Sequence, residues 1–359
     1  MIKTDIAIIG GGPAGLCAAI EAAKAGAKVL LLERDEFLGG QLVKQTHKFF
    51  GSKAQYASVR GIDIARILLD EIKQNKNVTV MENSVVLGIY EDGVITTQSR
   101  GKYIKIDAAA VIVATGASEK FMPFENNDLP GIYGAGAVQT LMNVYGIVPA
   151  SKVVMVGAGN IGLIVSYQLM QAGVDVKAIM CTGPVIGGYL VHAAKVRRLG
   201  VPIWVSTTVK RANGTDKLES VTLIKLDAKR NILPGTEFDV ECDNLCISVG
   251  LSPLCELFFM AECKMGYIAE LGGYVPMRDK FLMTSRQNLF VAGDAAGVEE
   301  ASSAMVEGRI AGLAAAGNLG YKAADFEERI GDLFGQLEDL RRGEVGEKIR
   351  KGLEKAEIA

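Results

Sequence analysis

One pattern occurs twice in this chain and narrows what it can fold into. An apolar strand runs into G-x-G-x-x-G and then into small, helix-favouring residues, first at Gly10, Gly12 and Gly15 and again at Gly157, Gly159 and Gly162. In the first copy Asp5 to Ile9 (DIAII) leads into GGGPAG, Ala14 to Ala25 reads as a helix, and Lys28 to Leu32 (KVLLL) reads as a second strand ending on Glu33. Each part has a task in holding a dinucleotide. Gly10 permits the tight turn, Gly12 leaves room for a pyrophosphate against the backbone, and Gly15 lets helix and strand pack closely. Pro13 and Ala14 open a helix whose unpaired N–H groups and positive dipole end face the phosphates, and proline fits there because its missing N–H has no intrahelical partner. Glu33 stands where a carboxylate accepts hydrogen bonds from ribose hydroxyls, with Arg34 beside it.

The second copy is imperfect where it matters. Lys152 to Val156 (KVVMV) leads into GAGNIG, in which Asn160 and Ile161 start a helix running to about Ala172, and the next strand is Val176 to Met180. That strand ends on Met180-Cys181-Thr182, with neither an acid for a ribose nor an arginine for a 2′-phosphate. The expected ligand is therefore NAD(P)H or another adenine nucleotide, with NAD less firmly indicated.

Composition suits such a protein. At 359 residues, with 49% hydrophobic residues, 42 glycines and 22% charged residues, the chain can form two or three domains with buried parallel strands and many tight turns. A net charge of −2 supplies no electrostatic footprint for nucleic acid. The most membrane-like run, Val153 to Met170, is broken by Asn160 and its glycines, so no membrane span is expected. Asp5 and Glu21 interrupt any secretory h-region, and a cytoplasmic location is expected. The six cysteines are Cys17, Cys181, Cys242, Cys246, Cys255 and Cys263, without C-x-x-C spacing or nearby histidines. They read as buried thiols, and no metal site is expected.

Between the repeats, RDEFLGGQLVKQTHKFFGS is a long Gly-interrupted loop, and such loops often serve function. Ile62 to Gln74 reads as an amphipathic helix. Short strands follow at Val78 to Val80, Val85 to Tyr90, Val94 to Thr97, Tyr103 to Ile106 and Ala109 to Ala114, the last ending in Ala114-Thr115-Gly116 beyond its carboxyl end. Residues 121 to 151 have a linker's composition around a short helix from about Gly136 to Tyr145. After the second repeat come strands at Val205 to Lys210, Leu218 to Leu226, Glu237 to Glu241 and Leu245 to Val249. Leu289 to Ala292 then leads to Gly293-Asp294 and the helical segment EEASSAMVEGRIAGLAAAG. Residues 322 to 359 are charged and helical in pattern and read as a solvated face or a docking tail.

GGGPAG with Glu33, the ATG strand end, GAGNIG and LFVAGD together resemble the flavoproteins with two dinucleotide-binding domains, over about residues 1 to 320. The resemblance implies an α/β fold of two Rossmann-like FAD/NAD(P)-binding domains like those of thioredoxin and glutathione reductases, the second inserted in the first. It implies an FAD-binding domain at 1–120 and 251–325, a domain for NAD(P) or another adenine nucleotide at 121–250, and a helical tail at 326–359. Asp294 would bond the flavin's ribitol chain, and the following helix would set Ala301, Ser302 and Ser303 beside the ring, where its dipole favours the anionic reduced flavin. GGQL, with Gly40 and Gln41, resembles the thioredoxin reductase branch, where this stretch lies along the flavin; Val85 is counted with the cofactor-binding residues. The redox cysteine pair of the disulfide reductases has no counterpart, since no cysteine lies between Cys17 and Cys181. NNDLPGIYGAGAVQTLMNVYG, residues 126 to 146, resembles the α-subunits of heteromeric sarcosine oxidase, opine and proline dehydrogenases and hydrogen cyanide synthase.

The resemblance implies an FAD-dependent oxidoreductase, an electron-transferring subunit of an amine or amino-acid dehydrogenase complex. Its partners would be a substrate-oxidising flavoprotein subunit, an iron–sulfur electron carrier, or both, in an oligomer. Two other readings remain open: a stand-alone NAD(P)H:acceptor oxidoreductase, and a nucleotide-loaded structural subunit. No nucleophile or paired-acid motif stands out, and Lys44 and His47 are the weak candidates for proton transfer or flavin tuning. His192, near Lys195, Arg197 and Arg198, is a candidate for a basic helix face over the second nucleotide.

Overall fold

The structure, a computed structural model, describes residues 1–322 and 324–358 and, at Val345, the backbone alone. It divides into two compact units, Met1–Ser118 with Leu251–Ala359, and Glu119–Gly250.

The first unit is built on β1 (Ile2–Ile9), followed by α1 (Pro13–Lys24), β2 (Val29–Leu32), α2 (Gly61–Gln74), β3 (Val78–Met81), β4 (Ser84–Ile89), β5 (Val94–Ser99) and β6 (Lys102–Val113). A seven-stranded sheet results, in the order β3-β2-β1-β6-β5-β4, and Leu289–Val291 adds alongside β6. The pairs β1–β2, β1–β6 and β2–β3 are parallel. Ile6 and Ile8 of β1 pack on one face with α1 and α2, whereas Ala7 and Ile9 pack on the other with Phe258. Cover on both faces is why β1 reads as an unbroken apolar run rather than an alternating one.

The two strands expected at Tyr103 to Ile106 and Ala109 to Ala114 are one, β6. Its outer edge changes partner midway, from antiparallel pairing with β5 over Lys102–Asp107 to parallel pairing of Val111–Val113 with Leu289–Val291. The apolar pattern lapses at the hand-over, which made one strand look like two.

The second unit holds α3 (Ala135–Asn143), α4 (Asn160–Gln171) and α5 (Leu190–Arg198). Its five-stranded sheet runs Ile203–Trp204, Asp175–Met180, Lys152–Val156, Asn244–Ile247, Ile132–Gly134, with every pair parallel. Val153 and Met155 face the helices, and Val154 and Val156 face an antiparallel three-stranded sheet through Val209, Val221 and Leu223. That smaller sheet uses Thr207–Asn213, Ser220–Lys225 and Phe238–Glu241.

The chain then returns to the first unit through α6 (Glu256–Met260), α7 (Ala301–Asn318), α8 (Phe326–Leu340) and α9 (Gly343–Ala356). The small residues of α7 let it lie directly on α1: a Cβ at Gly308 would stand 2.1 Å from the Ala14 carbonyl oxygen, and one at Gly312 2.4 Å from that of Ala18. The segment read as a solvated face or a docking tail packs on this unit through α8 and α9. Phe326, Ile330, Leu333 and Leu337 form one buried stripe on α8, each contributing roughly 1.5–3 kcal/mol of apolar burial. Ile349, Leu353 and Ala356 of α9 pack on Ile268, Leu271 and Val275. Of residues 322 to 359, Ala323 and Ala359 lie outside the described residues.

Candidate functional site

The three glycines of the first turn stand in different surroundings. Gly10 has φ 107°, and a Cβ there would lie 2.3 Å from the Ala114 carbonyl oxygen; a Cβ at Gly15 would lie 1.8 Å from that of Gly10. Both are fixed by the chain itself. Gly12 is different: its φ of −78° and ψ of −173° suit any residue, and a Cβ would meet nothing nearer than the Gly40 Cα at 3.9 Å. No protein atom fills the space beside the Gly12 backbone, which leaves room for a pyrophosphate to approach it. Gly12 is also the N-cap of α1, Pro13 follows it, and no side chain caps the helix start. An anion has donors and a dipole waiting for it.

Glu33 directly follows β2, buried, and its carboxylate already has two partners. Oε2 accepts the Gly11 N–H at 2.7 Å and Oε1 accepts the Asp35 N–H at 2.9 Å. The side chain thus fixes the glycine turn as well as offering its remaining lone pairs. Gly39 N–H donates to the Gly11 carbonyl at 2.8 Å, and a Cβ at Gly40 would lie 2.7 Å from the Gly12 Cα. GGQL therefore lies on the turn, with Gln41 exposed. On the other side Ala114 N–H donates to the Ile9 carbonyl at 2.8 Å, Thr115 Oγ1 donates to the Leu254 carbonyl at 2.9 Å, and Gly116 accepts the Leu254 N–H at 3.0 Å.

Gly293-Asp294 arrives at the same place. A Cβ at Gly293, whose φ is 71°, would stand 2.8 Å from the Ala14 Cβ. Burial, with Glu307 and Glu299 nearby, pushes the Asp294 carboxyl up to about 7, although the Glu299 N–H donates to Oδ1 at 3.4 Å and opposes the shift. The helix that follows, α7, begins at Ala301 with Glu300 as N-cap and no side-chain cap bond. Ser302 and Ser303 are buried in that first turn.

The remaining expected residues flank this cluster in the chain. Arg34 is exposed and pairs with Asp35 at 3.7 Å, while Val85 is exposed on β4, next to Ser84, whose N–H donates to the Glu33 carbonyl at 2.8 Å. Lys44 closes a 3₁₀ turn, Gly40–Lys44. The His47 ring stacks on Phe49 at 5.7 Å, and its carbonyl accepts the Gly61 N–H at 3.4 Å.

The second turn repeats the first. A Cβ at Gly157, φ 115°, would lie 2.0 Å from the Ser248 carbonyl oxygen, and one at Gly162 2.0 Å from that of Gly157. A Cβ at Gly159, with φ −80° and ψ 179°, would meet nothing within 4 Å. Again the middle glycine alone has no internal reason. The repeat also extends further than the glycine triplets. Gly187-Gly188-Tyr189-Leu190 answers Gly39-Gly40-Gln41-Leu42: a Cβ at Gly188 would lie 2.8 Å from the Gly159 carbonyl carbon as one at Gly40 would lie 2.7 Å from the Gly12 Cα, and Gly188 N–H donates to the Ala158 carbonyl at 2.9 Å. Asn160 Oδ1 accepts the Tyr189 N–H at 2.8 Å, while Ile161 is exposed.

The position answering Glu33 is Cys181, whose thiol turns to the Gly183 and Val185 carbonyls at 3.7 and 3.8 Å. His192 does not sit on an exposed basic face: it is buried, and burial with Lys195 nearby lowers its pKa, while Lys195 lies over the Tyr167 ring at 4.3 Å. All six cysteines are free; burial pushes Cys17 to about 11 and Cys242 and Cys255 to about 12. Such thiols are inert.

The donor set fits FAD in the first unit: an uncapped helix start, an open middle glycine, a buried carboxylate and a second acid brought beside Ala14. Among the described residues, no helix is long and apolar enough to cross a membrane.

Residues 4–308 match the family described as pyridine nucleotide-disulphide oxidoreductase. The A subunit of opine oxidase from Agrobacterium tumefaciens (strain Ach5) is 27% identical over 330 residues, covering 88% of this chain and 66% of that protein. L-proline dehydrogenase from P. horikoshii superposes with a TM-score of 0.69 at 25% identity, over 92% of this chain and 59% of that one. T. acidophilum thioredoxin reductase superposes with a TM-score of 0.71 at 22% identity, over 89% and 99%. The chain thus shares the thioredoxin reductase-like fold of two Rossmann-type parts, and it spans about two thirds or less of the opine oxidase polypeptide and of the proline dehydrogenase.

Proposed function

The chain belongs to the pyridine nucleotide-disulphide oxidoreductase family, and from that premise we propose that it is the electron-transferring subunit of an amine or amino-acid dehydrogenase complex, working between FAD and NAD(P)H or a partner subunit. That it is an FAD- and NAD(P)-dependent oxidoreductase follows from the family and its fold. The observation that carries the reading is the pair of open middle glycines, Gly12 and Gly159, each at an uncapped helix start. When bound, the flavin supplies hydride and electron transfer, and the chain supplies position and polarity.

Gly12 admits the diphosphate to the start of α1. Glu33, held by Gly11 and Asp35, offers its free lone pairs to ribose hydroxyls. Asp294 would hold the ribitol chain, and the N–H groups of Ala301, Ser302 and Ser303 would offer donors to the ring. The missing cysteine pair argues against disulfide reduction and for delivery of electrons to a partner, a substrate-oxidising flavoprotein or an iron–sulfur carrier. That the related opine oxidase polypeptide is itself one subunit of an oxidase supports this assembly.

A second reading has its own observation. Cys181 stands where Glu33 stands in the first turn, so the second site lacks a ribose-binding acid and could hold an adenine nucleotide as a structural element. Anaerobic mixing of the FAD-loaded chain with NADH and NADPH separates the readings. Bleaching of the flavin by either coenzyme supports the redox reading, and subsequent turnover of an artificial acceptor by this chain alone would favour a stand-alone enzyme. No bleaching, with a tightly held adenine nucleotide released on denaturation, supports the structural one.

A further inference from the structure

Five ionisable groups crowd beneath the Gly293-Asp294 turn, and one of them comes from the C-terminal helices. Arg341, at the end of α8, donates through Nη2 to Glu299 Oε1 and to Glu307 Oε1, each at 2.6 Å, and through Nε to Glu299 Oε2 at 3.0 Å. Both residues act on the turn, Glu307 through its carboxylate and Glu299 through its backbone N–H. Glu307 Oε2 accepts the Gly293 N–H at 2.9 Å, and the backbone N–H of Glu299 points to Asp294 Oδ1 at 3.4 Å. The side chains of Arg341, Glu299 and Glu307 are only 12%, 8% and 4% exposed. Arg278, buried beside them, donates to the Pro276 carbonyl at 3.4 Å.

The C-terminal pair of helices is shaped to hold these two arginines. A Cβ at Gly346 would lie 1.9 Å from the Arg341 carbonyl oxygen, to which Arg350 Nη1 also donates. Arg278 N–H donates to the Ala356 carbonyl at 3.0 Å, and Ile358 N–H returns to the Arg278 carbonyl at 3.0 Å. With Asp294 protonated, two cations balance two carboxylates. Without Arg341, Glu299 and Glu307 face each other with Arg278 alone, and one must take a proton or move away. Either change loosens the acceptor of the Gly293 N–H.

We propose that Arg341 is a positioning residue of the flavin site, holding Glu307 and Glu299 so that they fix the Gly293-Asp294 turn in the geometry that binds FAD. The two C-terminal helices then belong to the cofactor-binding apparatus. This rests on the assignment of Gly293 and Asp294 to the FAD site.

The test uses the full chain as wild type, Arg341→Gln, Arg341→Lys, and Arg342→Gln as an exposed neighbouring control. FAD affinity is read by quenching of flavin fluorescence, and bound flavin by its visible spectrum and midpoint potential. Arg341→Gln should weaken FAD binding by about tenfold or more and shift spectrum and potential, Arg341→Lys should recover part of both, and Arg342→Gln should match wild type. A folded Arg341→Gln that binds FAD with wild-type affinity, spectrum and potential overturns the proposal, as does a loss confined to melting temperature. Should Arg341→Gln not fold, Arg341→Lys and Glu299→Gln are read by the same criterion. A wild-type chain that takes up no FAD refutes the flavin assignment itself, a separate outcome.

Discussion

Replacing Gly12 by alanine separates the demands of the fold from those of the ligand. The backbone at Gly12, φ −78° and ψ −173°, accepts alanine, and the added methyl would have no neighbour closer than 3.9 Å. Alanine is a poorer N-cap than glycine, while a less flexible unfolded chain offsets that loss, so apo stability should stay within about 1 kcal/mol of wild type. The methyl would project into the space a diphosphate needs. Overpacking of that kind costs about 1–3 kcal/mol, a roughly fivefold to hundredfold loss of FAD affinity. Gly15→Ala is the opposite case, because its Cβ would stand 1.8 Å from the Gly10 carbonyl oxygen and α1 would have to move. It should lower apo stability by about 1–3 kcal/mol or more. Urea unfolding of the apo chains and FAD titration of each provide both readouts. If Gly12→Ala destabilises the apo chain as much as Gly15→Ala, or binds FAD as tightly as wild type, the inference from the open glycine is wrong.

Two further outcomes follow from the site's acids. Glu33→Gln can accept only one of the two N–H groups that the carboxylate holds, leaving the other against an amide NH₂; it should cost about 1–3 kcal/mol by denaturant unfolding as well as weaken FAD. Asp294 is raised to about 7 in the folded chain, above an unfolded value near about 4. The folded state therefore keeps a proton that the unfolded state has lost, and this group's contribution, full below pH about 4, should be lost as pH rises to about 7. Apo melting temperatures measured across that range in wild type and Asp294→Asn should differ in slope, with the asparagine variant flatter.

The parts of the site visible in sequence are those where one residue type satisfies a local rule. Gly10 and Gly157 need positive φ, Gly15 and Gly162 need close approach to a carbonyl, and strand ends at Glu33 and Ala114 deliver groups to a common edge. What was hidden depends on partners distant in the chain. Leu38, Leu42 and Phe49 anchor the GGQL loop in the core, yet in sequence they sit in a segment that reads only as loop. The stripe of Phe326, Ile330, Leu333 and Leu337 has helical spacing, but the charges around it suggested a solvated face. Nothing local announces that the Arg341 side chain is only 12% exposed, because its partners Glu307 and Glu299 lie on and before another helix. The second GG pair was masked for a different reason: with Cys181 in place of an acid, the stretch after Met180 did not look like the stretch after Leu32.

Uptake of FAD by the purified chain tests the central claim most directly. Titration under native conditions, followed by removal of free flavin, should leave a yellow protein carrying FAD in proportion to the chain. A protein that stays colourless after the same treatment, while folded, would contradict the assignment of the first unit.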